Sequence, residues 1–171
     1  MVNVLPKTLD PKSTLKQVQI NKSSVESQVK AIISNNPVSD SKQFNYWLLK
    51  AITVIDLTTL AGDDTRSNVL RLCSTAVRNG ATEIDVVLDR SLVLMGKWSE
   101  VFKEVELMKE ACGLAHMKVI LGVGELGTYE NVYYASMASM MAGADFIKTS
   151  TGKEAVNATL PVGLVMCRAI R

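Results

Sequence analysis

Lys148 and Lys153 bracket a Thr-Ser-Thr-Gly tetrad, and Lys148 closes a short apolar run, Phe146-Ile147, that follows a Gly143-Ala144-Asp145 turn. An amine at the carboxyl end of a buried strand has lost much of its hydration, which disfavours its charged form. A second cation nearby disfavours that form further, and this is how an amine becomes a nucleophile near neutral pH. Thr149, Ser150, Thr151 and Gly152 supply hydroxyls and backbone N–H groups of the kind that cradle a phosphate. A nucleophilic lysine beside an anion cradle points to Schiff-base chemistry on a phosphorylated aldehyde or ketone. The same letters also spell a strand ending in a solvated lysine, followed by an ordinary turn.

Two carboxylates interrupt apolar runs. Asp85 lies within Glu83-Ile84-Asp85-Val86-Val87-Leu88, and Asp56 within Ile52-Thr53-Val54-Ile55-Asp56-Leu57. A buried charge needs a partner, because leaving it unpaired is expensive. Asp85 beside an amine would shuttle the protons that carbinolamine and imine formation require. Its plainer role is a structural ion pair with Lys148. Asp56 and Thr58 suit the orientation of substrate hydroxyls, and Asp56 equally suits capping of loop N–H groups.

These residues need a scaffold, and the hydrophobic pattern supplies one. Val25, Val29, Ile32 and Ile33 follow helical spacing, which Asn35-Asn36-Pro37 ends. A β-branched run from Ala51 to Leu60 reads as the first strand. Thr65 or Asp64 caps a helix with Val69, Leu72, Cys73, Ala76 and Val77 on its apolar face, stopped by Gly80. Glu83–Leu88 is a second strand, and a helix from Trp98 to Cys112 follows. Met117–Val123 is a third strand, and Thr128 caps a helix over Tyr129–Ala142. The Lys148 strand is the fourth, and Pro161 opens a last helix. Strands alternating with helices at this spacing predict parallel βαβ units. Gly80-Ala81-x-x-Ile84-Asp85 echoes Gly143-Ala144-x-x-Ile147-Lys148, so Asp85 and Lys148 hold the same point in two such units. In a barrel both would project at the end where strand carboxyl ends gather active sites.

Composition narrows the functions available. The chain has 171 residues, 47% hydrophobic and 21% charged, with a net charge of +2, which suits one soluble domain and gives no basis for binding nucleic acid or an anionic membrane. No apolar run is long enough to span a bilayer, and the first residues do not read as a signal peptide. Cys73, Cys112 and Cys167 are widely spaced in helical patterns, as expected of buried, reduced thiols in a cytoplasmic protein. One histidine, His116, makes neither a metal site nor a triad, so no metal is expected. Gly122-Val123-Gly124-Glu125-Leu126-Gly127 has the letters of a dinucleotide fingerprint, and a nucleotide-dependent oxidoreductase is a third reading. Against it, Glu125 would face the pyrophosphate, and the acid expected some 20 residues on begins its strand rather than ending it.

Taken together, Ile55-Asp56-Leu57-Thr58-Thr59-Leu60, Gly62-Asp63-Asp64-Thr65, Glu83-Ile84-Asp85-Val86-Val87, Gly124-Glu125-Leu126, Gly143 through Lys153 and Val156-Asn157-Ala158-Thr159 resemble deoxyribose-phosphate aldolase, a class I aldolase, in its eukaryotic branch. The resemblance implies a TIM barrel that cleaves 2-deoxy-D-ribose 5-phosphate reversibly to D-glyceraldehyde 3-phosphate and acetaldehyde. It makes Lys148 the Schiff-base lysine, Asp85 the proton donor and acceptor, and Gly152 and Lys153 holders of the phosphate, with no cofactor.

The sequence departs from that pattern in length. Four strands are legible where a barrel has eight. The family's second and third strands would fall between Cys73 and Glu83, where one continuous helix stands instead. The seventh and eighth strands, with a Lys-Pro-Ala-Gly-Gly-type motif bearing a second lysine and a Gly-Ala-Ser-Ser phosphate loop, are not found. The expected fold is therefore α/β, an incomplete TIM barrel of about four parallel strands (46–171) behind an N-terminal helical extension (1–45). Four strands cannot close a barrel, and open edges invite pairing. The expected partners are a sugar phosphate and either a second copy or a full-length subunit. The alternative is a catalytically silent isoform that binds the full-length subunit or a sugar phosphate.

Overall fold

A computed structural model describes residues 18–38, 40–53 and 65–171. Among these are seven α-helices: α1 (Lys22–Asn35), α2 (Ser41–Ile52), α3 (Arg66–Arg78), α4 (Arg90–Leu94), α5 (Trp98–Cys112), α6 (Tyr129–Met141) and α7 (Leu160–Ile170). Three strands, β1 (Glu83–Val87), β2 (His116–Ile120) and β3 (Phe146–Lys148), form a parallel sheet in the order β1-β2-β3. Most of the first strand read from the sequence lies outside the described residues. Its opening, Ala51-Ile52, is helical: the 44, 47, 48, 51, 52 apolar spacing carries α2 through Ile52 before the β-branched letters take over. The 45/46 boundary read from the sequence falls inside α2.

The helix starts follow their sequence signals. The Thr65, Thr128 and Thr159 side chains accept from Asn68, Asn131 and Val162 N–H, capping α3, α6 and α7. Pro161 sits in the first turn of α7, where its missing N–H costs nothing. A short helix that the sequence reading left unassigned, α4, is capped by Asp89 through Ser91 N–H.

The sheet has two unlike faces. Ile84, Val86, Met117 and Val119 point to the helices and are buried with Cys73, Val101, Val105, Met108, Cys112, Ala135 and Val165. Removing such a side chain costs about 2–5 kcal/mol for Met→Ala. Residues two apart alternate faces, so Glu83, Asp85 and Val87, His116, Lys118 and Ile120, and Phe146 and Lys148 share the other face. In a closed barrel that face would line the interior; here Phe146 on it is 47% exposed.

Helix α1 belongs to the packed body. Val25 is fully buried, Arg168 of α7 donates to Gln28 Oε1 at 2.5 Å, and the Tyr134 hydroxyl donates to the Val18 carbonyl. Ile32 and Ile33, on the same sequence pattern, stay exposed. Of the cysteines, Cys73 and Cys112 are buried as expected, but Cys167 is exposed. It falls on the outer side of α7, whose buried positions are Val162, Val165, Met166 and Ala169.

Candidate active site

The register of the sheet builds the site. Asp85 pairs with Lys118 across β1 and β2, and Lys148 pairs with Ile120 across β2 and β3. Lys148 therefore stands one pleat nearer the carboxyl ends than Asp85, on the same face of the sheet. The Asp85 carboxylate bridges both amines: Oδ1 lies 3.2 Å from Lys118 Nζ and Oδ2 lies 3.4 Å from Lys148 Nζ. Lys118 also holds Glu83 Oε1 at 2.5 Å. The three side chains are 16%, 18% and 23% exposed for Asp85, Lys118 and Lys148, so water screens them only in part.

Sequence reading named Asp85 and Lys148 and missed Lys118. Its only local signal is a cation at an alternate position of a strand whose neighbours are apolar. The second cation beside the Asp85 carboxylate is Lys118, whereas Lys153, the candidate for that place, stands exposed on the loop after β3. Asp56 and Thr58 lie outside the described residues.

The loop after β3 is tied down from β2. Leu121 N–H donates to the Lys148 carbonyl and Val123 N–H to the Thr149 carbonyl, both at 2.9 Å. The Thr149 and Ser150 hydroxyls are 3.3 Å apart. Thr151 offers its N–H and hydroxyl to Glu154 at 3.2 and 3.0 Å, while Lys153 N–H donates to the Thr151 hydroxyl. The loop thus already holds an anion, its own Glu154 carboxylate, against part of the predicted phosphate cradle. Partial burial alone would raise the Glu154 pKa, but hydrogen bonds from its own backbone N–H and from the Thr151 hydroxyl and N–H, with the Arg90 charge, outweigh it and hold the carboxyl below its usual value. Gly152, at φ +88°, takes a left-handed turn with open space around it.

The glycine fingerprint has a packing role. A Cβ on Gly124 would fall 1.8 Å from the Val156 carbonyl oxygen, so this glycine lets the loops after β2 and β3 touch. Gly122 is left-handed, and a side chain there would meet Arg90 Cδ at 2.8 Å. Arg90 lies over it and ion-pairs with Glu125. The segment from Val123 to Glu125 is a 3-10 turn, so α6 starts at Tyr129, after the last glycine of the fingerprint and not within it. Among the described residues no three His, Cys, Asp or Glu side chains gather as metal ligands, and no helix is long and apolar enough to cross a membrane.

Comparison with known proteins matches the sequence to a family. Residues 36–171 fit the description DeoC/LacD family aldolase. The deoxyribose-phosphate aldolase of Bos taurus is 40% identical over 230 positions, covering 93% of this chain and 72% of the relative. Since 93% of 171 residues is about 159, roughly 70 of those 230 positions have no counterpart here. A putative deoxyribose-phosphate aldolase of Caenorhabditis elegans is 57% identical over 106 residues, 62% of this chain and 35% of the relative. In fold, the crystal structure of a putative deoxyribose-phosphate aldolase from Coccidioides immitis superposes with a TM-score of 0.63 at 18% identity, over 96% of this chain and 81% of that one.

Proposed function

The chain belongs to the DeoC/LacD aldolase family, and on that premise we propose that its sheet face carries the imine-forming half of a deoxyribose-phosphate aldolase site. The reaction is the reversible cleavage of 2-deoxy-D-ribose 5-phosphate to D-glyceraldehyde 3-phosphate and acetaldehyde. Lys148 is the nucleophile. Its neutral amine adds to the C1 carbonyl of the open-chain sugar, and the carbinolamine loses water to an imine. The protonated imine then draws in the electron pair of the C2–C3 bond as the C3 hydroxyl gives up its proton. Glyceraldehyde 3-phosphate leaves, and protonation at C2 followed by hydrolysis releases acetaldehyde and restores the amine. Each step moves a proton, and a carboxylate touching the amine is placed to carry it.

The observation that carries this reading is the Asp85 carboxylate shared between Lys118 and Lys148. A carboxylate divided between two amines stands within reach of both, so it can take a proton from one side and give it back on the other. Thr149, Gly152 and Lys153 are the phosphate-side contacts of the proposal, and Asp56 and Thr58 its hydroxyl contacts.

The roughly 70 positions of the relatives without a counterpart here argue for turnover far below that of a complete aldolase, since positioning is a large share of catalysis. With three strands among the described residues, the sheet is short of a closed barrel, which supports pairing with a second copy or with a full-length subunit. Unpaired cysteines fit a reducing cytoplasm, and the substrate places the chemistry in deoxyribonucleotide catabolism.

Borohydride reduction in the presence of 2-deoxyribose 5-phosphate tests the proposal. An adduct mapped to Lys148, absent from Lys148→Leu, is the expected result. A folded chain that yields no adduct overturns it.

A further inference from the structure

Arg90 joins the loops that follow the three described strands. It opens α4 just after β1, its side chain crosses Gly122 after β2, and it ion-pairs with Glu125 on that same loop. Gly122 makes the crossing possible, since a Cβ there would stand 2.8 Å from Arg90 Cδ and 3.6 Å from Nη1. The Arg90 charge is also felt at Glu154, after β3, where it favours the ionised carboxylate. The Arg90 side chain is 21% exposed, so water screens it only in part. Nothing in the imine chemistry uses this cation.

Glu154 is the other half of the arrangement. Its Oε2 accepts from the Thr151 N–H at 3.2 Å and from the Thr151 hydroxyl at 3.0 Å, the donors that a phosphate oxygen would take. The backbone at Glu154 is fastened, because Asn157 Nδ2 donates to its carbonyl at 2.7 Å. Only the side chain has to turn for the carboxylate to leave. A phosphate and a carboxylate do not share one pair of donors, since like charges at that spacing disfavour each other. An arriving phosphate therefore expels the carboxylate, and a half-buried carboxylate without a partner is costly.

We propose that Arg90 is a positioning residue for phosphate binding: it receives the Glu154 carboxylate when a phosphate takes that carboxylate's place on Thr151. A guanidinium carries five N–H donors in one plane, enough to hold Glu125 and a second carboxylate together. Glu154 acts as a latch, closed on Thr151 without phosphate and on Arg90 with it. Arg90 works through Glu154 and does not touch the phosphate. The latch lowers phosphate affinity by the fraction of chains in which Thr151 is open. This role rests on the loop after β3 being the phosphate side of the proposed site, and it makes no use of Lys148.

Titration of the whole chain with inorganic phosphate is the experiment, followed by NMR at the Thr151 amide in about 0.15 M salt, where distant charges are screened. A saturable shift is expected in the native chain. Glu154→Gln keeps the side chain's shape without its charge and is expected to bind phosphate ~10–100-fold more tightly, the worth of the charge-assisted hydrogen bonds that no longer compete. Arg90→Gln is expected to weaken binding about tenfold, and Arg90→Lys by less. In the Glu154→Gln background, Arg90→Gln is expected to change affinity by no more than about twofold, because its effect passes through the missing carboxylate. Should Arg90→Gln lose the native amide spectrum, Arg90→Lys in the same two backgrounds supplies the comparison. An equal loss in both backgrounds overturns the proposal, since it makes Arg90 a direct contact of the phosphate. So does a Glu154→Gln chain that binds no tighter than the native one. A Glu154→Gln chain with no saturable shift overturns the phosphate reading of the loop and the latch with it. The titrations involve no imine, so a missing borohydride adduct leaves their outcome unchanged and the two readings fail separately.

Discussion

Lys118 and Lys148 come from different strands and reach the same carboxylate through different oxygens, Oδ1 and Oδ2 of Asp85, at 3.2 and 3.4 Å. The parallel register sets this arrangement, pairing Asp85 with Lys118 and lifting Lys148 one pleat towards the strand ends.

Asp85→Asn removes the proton carrier and leaves both amines facing a neutral amide. Trapping of the substrate adduct at Lys148 is expected to slow by ~10²–10⁴-fold, the usual worth of a positioned acid–base group. Stability is expected to fall by about 1–3 kcal/mol from the lost charge-assisted hydrogen bonds. Single-turnover borohydride trapping and urea denaturation read the two effects separately.

Lys118→Met removes one of the two amines that share Asp85 and so changes how the carboxylate is held against Lys148. Adduct formation is expected to slow by at least tenfold, whereas Lys118→Arg, which keeps the cation, is expected to keep more of the rate than Lys118→Met. Equal rates for wild type and Lys118→Met would remove Lys118 from the site.

Glu154 sets an acid limit on the loop after β3. Its folded pKa lies below its ordinary 4.5 because its own backbone N–H and Thr151 donate to it. A depressed carboxyl contributes stability that is present above the unfolded value and is lost as pH falls through the folded one. The loop is therefore expected to loosen below about pH 4.5, seen as faster amide exchange at Thr151 and Lys153. Glu154→Gln is expected to flatten that pH dependence and to free the Thr151 N–H for an added phosphate.

Asp145 fastens the amino ends of β2 and β3. Its Oδ2 accepts from Met117 N–H at 2.8 Å and from Lys109 Nζ at 2.6 Å, while Lys109 also donates to the Ala115 carbonyl. Asp145→Ala leaves a strand N–H and a half-buried ammonium without their acceptor and is expected to cost about 1–3 kcal/mol. Thermal melting at neutral pH measures it. An unchanged midpoint would show the clasp to be replaced by water.

Thiol accessibility separates the cysteines. Cys167 is exposed, while Cys73 and Cys112 are buried. One thiol is expected to react with an aromatic disulfide reagent in the native chain, and all three in denaturant. Prompt reaction of more than one native thiol would show that the α3–α5 contact opens.

The sequence by itself determined most of the elements and pointed to two of the three residues at the centre of the candidate site. Thr65, Thr128, Thr159 and Pro161 marked helix starts because capping is a local hydrogen bond between residues three apart. Asp85 and Lys148 were legible because a charge inside an apolar strand needs a reason wherever it occurs. Ala51-Ile52 was misread because a β-branched run and a helical stripe overlap there, and local preference cannot rank them. Tertiary structure alone decided Lys118, whose partner Asp85 is 33 residues away, because a lysine in a strand acquires meaning only from the strand beside it. It also decided that Glu154 fills part of the expected phosphate cradle, that the fingerprint glycines serve contact between loops, and that Cys167 faces outward. These depend on register and on which face of an element finds a neighbour, and both are set by contacts between segments far apart in the chain.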